Sequence, residues 1–456
     1  MLRRLSADVR HGRTTARELV ERSLERIEAN RDLNAVVAER SDEARAEADA
    51  IDAAVAGRDD PGPLAGLPVL AKDNDDVRGM RTTHGSRWFA DAPAASRDGV
   101  SIERLRAAGA IVVGKTNVPE FCIEGYTDNL LFGATRNPWD LGRSPGGSSG
   151  GSAAALAAGL SAIATGTDGG GSIRIPAAFC GLLGYKPTNG VIGRRSAPDW
   201  IDFSTDGIMA TSADDVRLLL TVLAGPVDGD PTALPTPLPP SALPTRLIVA
   251  ERTDDLGPLP AEVADAFAAS AAQLAELLGV PVEHRIPESF FPDWSPDEDW
   301  FVLATAEHAS AFGRERIERD AELLHPSARE FLLEGLTVSA ADYLAARRRR
   351  FDAIARLDEL LAGGAALVTP TVAELGWAPD GGRAGLIGAE AYSTAIQNMT
   401  GLPAISLPAP LGPDGMPFGL QVTMPRWADL GLLEVAARWE AAYPWPRTAP
   451  GYPEFG

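Results

Sequence analysis

Two glycine-rich loops and one lysine carry the residue types that chemistry on a carbonyl needs. The first loop, Gly142 to Ser152, reads Gly-Arg-Ser-Pro-Gly-Gly-Ser-Ser-Gly-Gly-Ser, and the second, Gly166 to Ser172, reads Gly-Thr-Asp-Gly-Gly-Gly-Ser. Gly169, Gly170 and Gly171 have no Cβ to obstruct a reacting group. Their N–H groups can converge on one anion-binding concavity. Ser172 stands at the end of the run, a hydroxyl nucleophile beside donors suited to an oxyanion. The segment Ile173-Arg174-Ile175-Pro176 that follows is unlike a flexible linker. A serine needs a base at neutral pH. Lys72 closes the apolar run Leu67 to Ala71. In water an ammonium of pKa about 10.4 stays protonated, and desolvation lowers that value. A second serine hydroxyl, accepting and donating at once, can relay the proton.

Lysine usage points the same way. Of 42 basic residues all but Lys72, Lys115 and Lys186 are arginine. Arginine does not give up its proton in proteins, whereas a buried lysine does. Other motif readings fail on context. Gly146-x-Ser148-x-Gly150 matches a hydrolase nucleophile elbow in form, but no strand precedes it and no histidine follows His325. No Gly-Lys-Ser/Thr follows either loop, which excludes a P-loop. The histidines (His11, His84, His284, His308, His325) lack ligand spacing, and Cys122 and Cys180 form neither a disulfide framework nor a zinc pattern. No metal site is expected.

The elements that must position these loops read as an α/β alternation. Thr15 to Asn30 is a helix with a Thr15/Glu18 capping box, and Ser41 to Gly57 is a second. Leu67 to Ala71 is a buried strand, Ser101 to Ala108 a helix and Ile111 to Val113 a strand. Residues 142–152 fit no regular element, and Ala153 to Leu160 is a buried helix. The turn at 166–172 is entered from Ser161 to Thr165. The proline-rich stretch 226–244 is a stiff, extended connector. Residues 246–365 are mainly helical, with a strand at Leu247 to Ala250. The Arg347 to Arg350 run is a solvated face or a set of ion pairs. Strands return at Ala366 to Val368 and Ala404 to Leu407. The alternation implies a layered α/β fold.

The chain has 456 residues, 45% of them apolar, enough for a large core. Its formal charge of −21 disfavours nucleic acid and anionic membranes as partners. No apolar run reaches 18 residues and no signal-peptide pattern opens the chain, so the expectation is a cytoplasmic protein.

With these residues assembled, the chain resembles the amidase signature hydrolases. Residues 66–76 resemble the family's catalytic-lysine block, 145–155 the heart of its signature and 167–176 its nucleophile block. Gly114 to Asn117, Asn137-Pro138, Gly184 to Thr188 and Asn398 to Ala404 extend the likeness over nearly the whole length. The resemblance implies Ser172 as nucleophile, Lys72 as base and Ser148 as bridging serine after a cis peptide bond. It implies the amides of Gly169, Gly170, Gly171 and Ser172 as oxyanion donors, with Ser149, Asp168 and Arg174 in support. Lys115 and Lys186 are then structural, bonding loop carbonyls, and only Lys72 needs its neutral form. The segment Phe121-Cys122-Ile123-Glu124-Gly125 lines the substrate pocket. Tyr126, Trp200, Ile201, Phe203, Trp377 and Gln397 are further pocket candidates.

The implied fold is one α/β/α domain with a large mixed sheet between helices. It divides into N-terminal helices (1–60), a signature core (61–225), the connector (226–245), a variable helical part (246–365) and a C-terminal return (366–456). The implied activity is cleavage of an amide or carbamate C–N bond in a small molecule, without cofactor, in a protein that can form homodimers. The alternative is a glutamine-hydrolysing amidotransferase subunit that works with charged tRNA. Such subunits carry glutamine after the nucleophile-block arginine, where this chain has Ile175.

Overall fold

In the computed structural model of the chain, residues 1–195, 200–234, 237–253, 258–381, 393–410, 412 and 414–456 are described. Eleven strands among them form one mixed sheet. They are β1 (Val36–Glu39), β2 (Pro68–Lys72), β3 (Ile111–Thr116), β4 (Ile163–Asp168), β5 (Leu183–Lys186), β6 (Thr205–Ala210), β7 (Arg246–Val249), β8 (Val282–His284), β9 (Ala365–Pro370), β10 (Ala404–Ala409) and β11 (Phe418–Thr423). Their order is β1-β3-β2-β4-β6-β5-β10-β11-β9-β7-β8. β2 runs parallel to β3 and β4, and the centre of the sheet from β4 to β9 is antiparallel.

Both faces of the sheet are covered, and the strand pleat shows how. Leu247 and Val249 of β7 enter one hydrophobic core, while Ile248 between them enters another. Ala366 and Val368 of β9 face the first core, Ala365 and Leu367 the second. Successive side chains on a strand point to opposite faces, so strands covered on both sides read as apolar runs. At this end the helix Ala261–Leu278 packs on one face through Val263, Phe267, Ala271 and Leu274. The helices Pro296–Phe312, Pro326–Gly335 and Ala340–Leu360 fill the other. The layered α/β reading holds.

Several elements match their sequence signals. The helix Ala16–Ala29 carries both halves of the Thr15/Glu18 capping box. Arg347 pairs with Asp202 and Arg349 with Asp299, whereas Arg350 is buried against the Met399 carbonyl. Other readings need correction. The helix placed at Ala153 to Leu160 is Gly150–Ala157, so it starts inside the glycine loop. Gly150 and Gly151 lie against Thr127 and Asn117, and this close packing explains a helix of small residues. β4 extends to Asp168, so Gly166 and Thr167 belong to a strand rather than to the turn. The connector is no free spacer: Leu234, Leu238 and Leu243 pack on the main core. Pro235 of that segment lies outside the described residues. β1, β5, β6, β8 and β11 had no strong periodic signal of their own. Among the described residues, no helix is long and apolar enough to cross a membrane.

Candidate active site

β2 and β4 are parallel neighbours, and their carboxyl ends deliver Lys72, Thr167 and Asp168 to one place. In α/β sheets such strand ends are the usual ligand-binding edge. Lys72 is fully buried. Its Nζ lies 2.8 Å from Ser148 Oγ and 2.8 Å from Thr167 Oγ1. Its backbone N–H donates to Thr165 Oγ1 at 2.8 Å, which fixes the root of the side chain. Both partners of the amine are hydroxyls, and no carboxylate forms an ion pair with it among the described residues. Burial pushes the Lys72 ammonium down; the electrostatic effects of Cys122, Asp75, Asp168 and Asp206 oppose that shift. A buried amine facing hydroxyls rather than carboxylates is stabilised in its neutral form.

The other two lysines differ. Lys115 Nζ is 2.7 Å from Asp73 Oδ1 and donates to the Arg81 carbonyl. Lys186 donates to the Pro187 carbonyl and to Asn189 Oδ1. Both therefore bond loop carbonyls. Burial, aided by Arg174, brings Lys186 down to about 7. A lowered ammonium pKa is thus shared by Lys72 and Lys186.

Ser148 follows a cis peptide bond from Gly147 and is buried. Ser172 is 8% exposed and, with Ser148, lines a cleft of about 320 Å³. No hydrogen bond joins the two serine hydroxyls among the described residues; such contacts often tighten only when substrate binds. Ser149 ties the two loops together: its N–H donates to the Ser172 carbonyl at 3.1 Å and its Oγ to the Thr167 carbonyl at 3.4 Å.

The carbonyls of residues 168–172 are all held from outside the turn. Asn398 Nδ2 donates to Asp168 O, Trp300 Nε1 to Gly169 O and Thr394 Oγ1 to Gly170 O. The Ile175 N–H donates to Gly171 O and the Ser149 N–H to Ser172 O. In a trans peptide the N–H points away from the carbonyl, so these bonds fix the direction of each following amide. The Gly171 N–H donates to Asp168 Oδ1 at 2.8 Å. This corrects the expectation that all four amides face one concavity; those of Gly169, Gly170 and Ser172 remain. All three glycines are required by space, Gly170 because a Cβ would stand 2.7 Å from the Trp300 ring. A Cβ on Gly169 would stand 1.9 Å from the Trp200 ring. Gly171 has φ of 128° and is packed on Thr394.

Asp168 and Arg174 anchor this turn. Both are fully buried, with Nη2–Oδ1 at 2.8 Å and Nε–Oδ2 at 3.0 Å. Burial alone would raise the carboxyl, but the Arg174 guanidinium overrides it and holds Asp168 at about 2. Arg174 also donates to Gln397, Gln421, Asn398 and the Thr394 carbonyl, so its donors are satisfied.

The expected pocket segment divides between two spaces. Phe121 and Cys122 line the wide cleft. Cys122, Ile123, Glu124 and Gly125 line a slot of about 20 Å³ that also reaches Ser172. Phe121 and Cys122 have φ of 55° and 62°, left-handed values that cost energy in non-glycine residues. Trp200 lines both spaces and meets Trp300 edge-on at 5.4 Å. The remaining candidates fall away from the walls. Ile201 is exposed, Phe203 stacks behind Trp200, and Gln397 serves Arg174. Tyr126 and Trp377 belong to a separate cluster with Phe179.

Sequence reasoning missed Thr167, Asn74, Trp300, Thr394 and Asn398. Only Thr167 had a local signal: it shares a strand face with Thr165. His84 and His308 also line the wide cleft. Among the described residues, no three His, Cys, Asp or Glu side chains gather as a metal-ligand group.

Comparison with known proteins agrees with this geometry. The family model described as Amidase matches residues 18–433. A glutamyl-tRNA(Gln) amidotransferase subunit from Synechococcus sp. (strain RCC307) is 35% identical over 469 residues, covering 95% of each chain. A bacterial aryl acylamidase superposes with a TM-score of 0.87 at 28% identity, over 96% of this chain and 95% of that one. A 6-aminohexanoate cyclic dimer hydrolase superposes with a TM-score of 0.85 at 31% identity, over 99% and 98%. With the family pattern matched along most of its length and relatives above 30% identity end to end, this chain belongs to the amidase signature family and is an amidase.

Proposed function

We propose that this protein is a free-standing amidohydrolase that cleaves a small-molecule carboxamide or carbamate through a Ser172–Ser148–Lys72 relay. One observation carries the reading: a fully buried Lys72 amine, without an ion-pair partner among the described residues, 2.8 Å from Ser148 Oγ at the edge of the Ser172 cleft. Neutral Lys72 takes the Ser148 proton as Ser148 takes that of Ser172. Ser172 Oγ then bonds to the substrate carbonyl carbon, and the oxyanion is held by the amides of Gly169, Gly170 and Ser172. The relay returns the proton to the leaving amine as the C–N bond breaks, and an acyl-enzyme remains. Water, deprotonated by the same relay, releases the acid. Fixed donors of this kind are worth about 2.7–4 kcal/mol each to acyl transfer.

The likeness to an amidotransferase subunit keeps a second reading in view. Ile175, buried beside the slot, stands where such subunits place glutamine, and this favours the free-standing enzyme. The test is to incubate the purified protein alone with an aryl acylamide, an aryl carbamate, a linear aminohexanoate oligomer and glutamine, with Ser172→Ala as control. Amine release from any of the first three supports the proposal. Turnover of glutamine only, rising when a partner is added, supports the amidotransferase.

A further inference from the structure

The wide cleft holds an arginine whose guanidinium has nearby acids but no hydrogen-bonded or ion-paired partner. Arg194 lines it together with Ser148, Ser172 and Asp206, and is half-buried. Among the described arginines that are buried or half-buried, it is the one whose guanidinium makes neither a hydrogen bond nor an ion pair; the exposed Arg97 lines the same cleft. The nearby acids are otherwise engaged. Asp202 is paired with Arg347 at 2.8 Å. Asp230 accepts from the Arg194 backbone N–H and from Thr232. Asp206 accepts from Ser101 Oγ at 2.6 Å and has no ion pair within 4.0 Å. The other arginine of this loop, Arg195, is paired with Glu103. A half-buried guanidinium without a partner leaves its donors free for a ligand. Its flat fork matches a carboxylate in two parallel bonds.

We propose that Arg194 receives a carboxylate carried on the amine portion of the amide substrate. This inference rests on the relay reading above. In that relay Ser148 protonates the leaving amine, and Ser148 shares the wide cleft with Arg194, so the amine portion lies on that side. The slot of about 20 Å³ that also reaches Ser172, and that Arg194 does not line, suits a small acyl group. The substrate class is therefore short-chain acyl amides of ω-amino acids and related compounds that keep a free carboxylate.

The test uses ω-acetamido acids of three to seven carbons. Each is compared with its neutral N-alkylacetamide and its ω-ammonium counterpart, and an aryl acylamide serves as the general amidase substrate. A charge-assisted bidentate contact predicts a kcat/KM preference of about tenfold or more for the acid over the neutral amide at the best chain length. Arg194→Gln should reduce that preference to about threefold or less, and Arg194→Lys, which keeps the charge, should retain part of it. The wild-type preference is readable without any variant. Equal rates for acid and neutral amide, a preference for the ammonium compound, or a preference unmoved in Arg194→Gln would overturn the assignment while aryl acylamide turnover left the relay standing. Absence of turnover for every amide would overturn both.

Discussion

At the residue scale the proposed relay depends on one proton at Lys72. Its amine faces Ser148 and Thr167 hydroxyls in a buried site, so the neutral form is favoured. Because the base must be unprotonated, kcat/KM should fall on the acid side as Lys72 takes up its proton, and an acid limb unchanged by replacing Lys72 would exclude this base. Asp75 acts on the same group. Its negative charge raises Lys72, against the lowering by burial. Removing that charge makes the ammonium easier to deprotonate. Burial and the neighbouring Asp206 push Asp75 itself up to about 7, so its charge acts on Lys72 mainly above that pH; Asp75→Asn should there ease deprotonation of the base, and an acid limb moved upward would show that Asp75 does not act on it. Ser172→Ala should abolish turnover. Lys72→Met should lower kcat by about 10²–10⁴, the range of a general base; a variant keeping most of its activity would remove Lys72 from the relay.

At the element scale, the turn after β4 works because distant elements hold its carbonyls. The Gly169, Gly170 and Asp168 carbonyls are bound by residues 131, 224 and 230 positions away. Thr394→Val would leave the Gly170 carbonyl without a donor, at a cost of about 1–3 kcal/mol. Arg174→Met would strand the buried Asp168 carboxylate and should cost about 3–5 kcal/mol in denaturant unfolding; an unchanged midpoint would mean that the turn is anchored some other way. These long-range bonds mark what the sequence could not reveal. Gly169 to Ser172, Lys72 and Ser148 were legible because each is an unusual residue type in a constrained context. β2, β3, β9 and β10 were legible from short apolar runs. Trp300 and Thr394 lie in helix- and loop-like stretches whose periodicity says nothing about a turn more than a hundred residues away. Gly150 and Gly151 misled for a physical reason: glycine there serves close packing inside a helix, not flexibility.

At the scale of the whole molecule, composition makes the alkaline behaviour of the fold unusually simple. With only three lysines, few basic side chains can titrate between about pH 7 and 10.5. Lys115 is ion-paired with Asp73, while Lys72 and Lys186 hydrogen-bond neutral partners and have no ion pair among the described residues. Burial brings Lys186 down to about 7, against an ordinary 10.5 in the unfolded chain. Between those two values the unfolded chain binds a proton that the folded one has released. Stability from this group therefore rises with pH across the window, by up to about 1.4 kcal/mol per unit, and its full penalty is present below about pH 7. Lys186→Met removes the titration and, with it, the bonds to Pro187 and Asn189, which shift stability by a constant. The stability difference between variant and wild type should consequently move in favour of wild type as pH goes from about 7 to 9. Denaturant unfolding at about pH 7, 8 and 9 measures it. Parallel curves for the two proteins would mean that Lys186 keeps its proton throughout, and that the negative charges of Asp168 and Asp429 outweigh burial and Arg174.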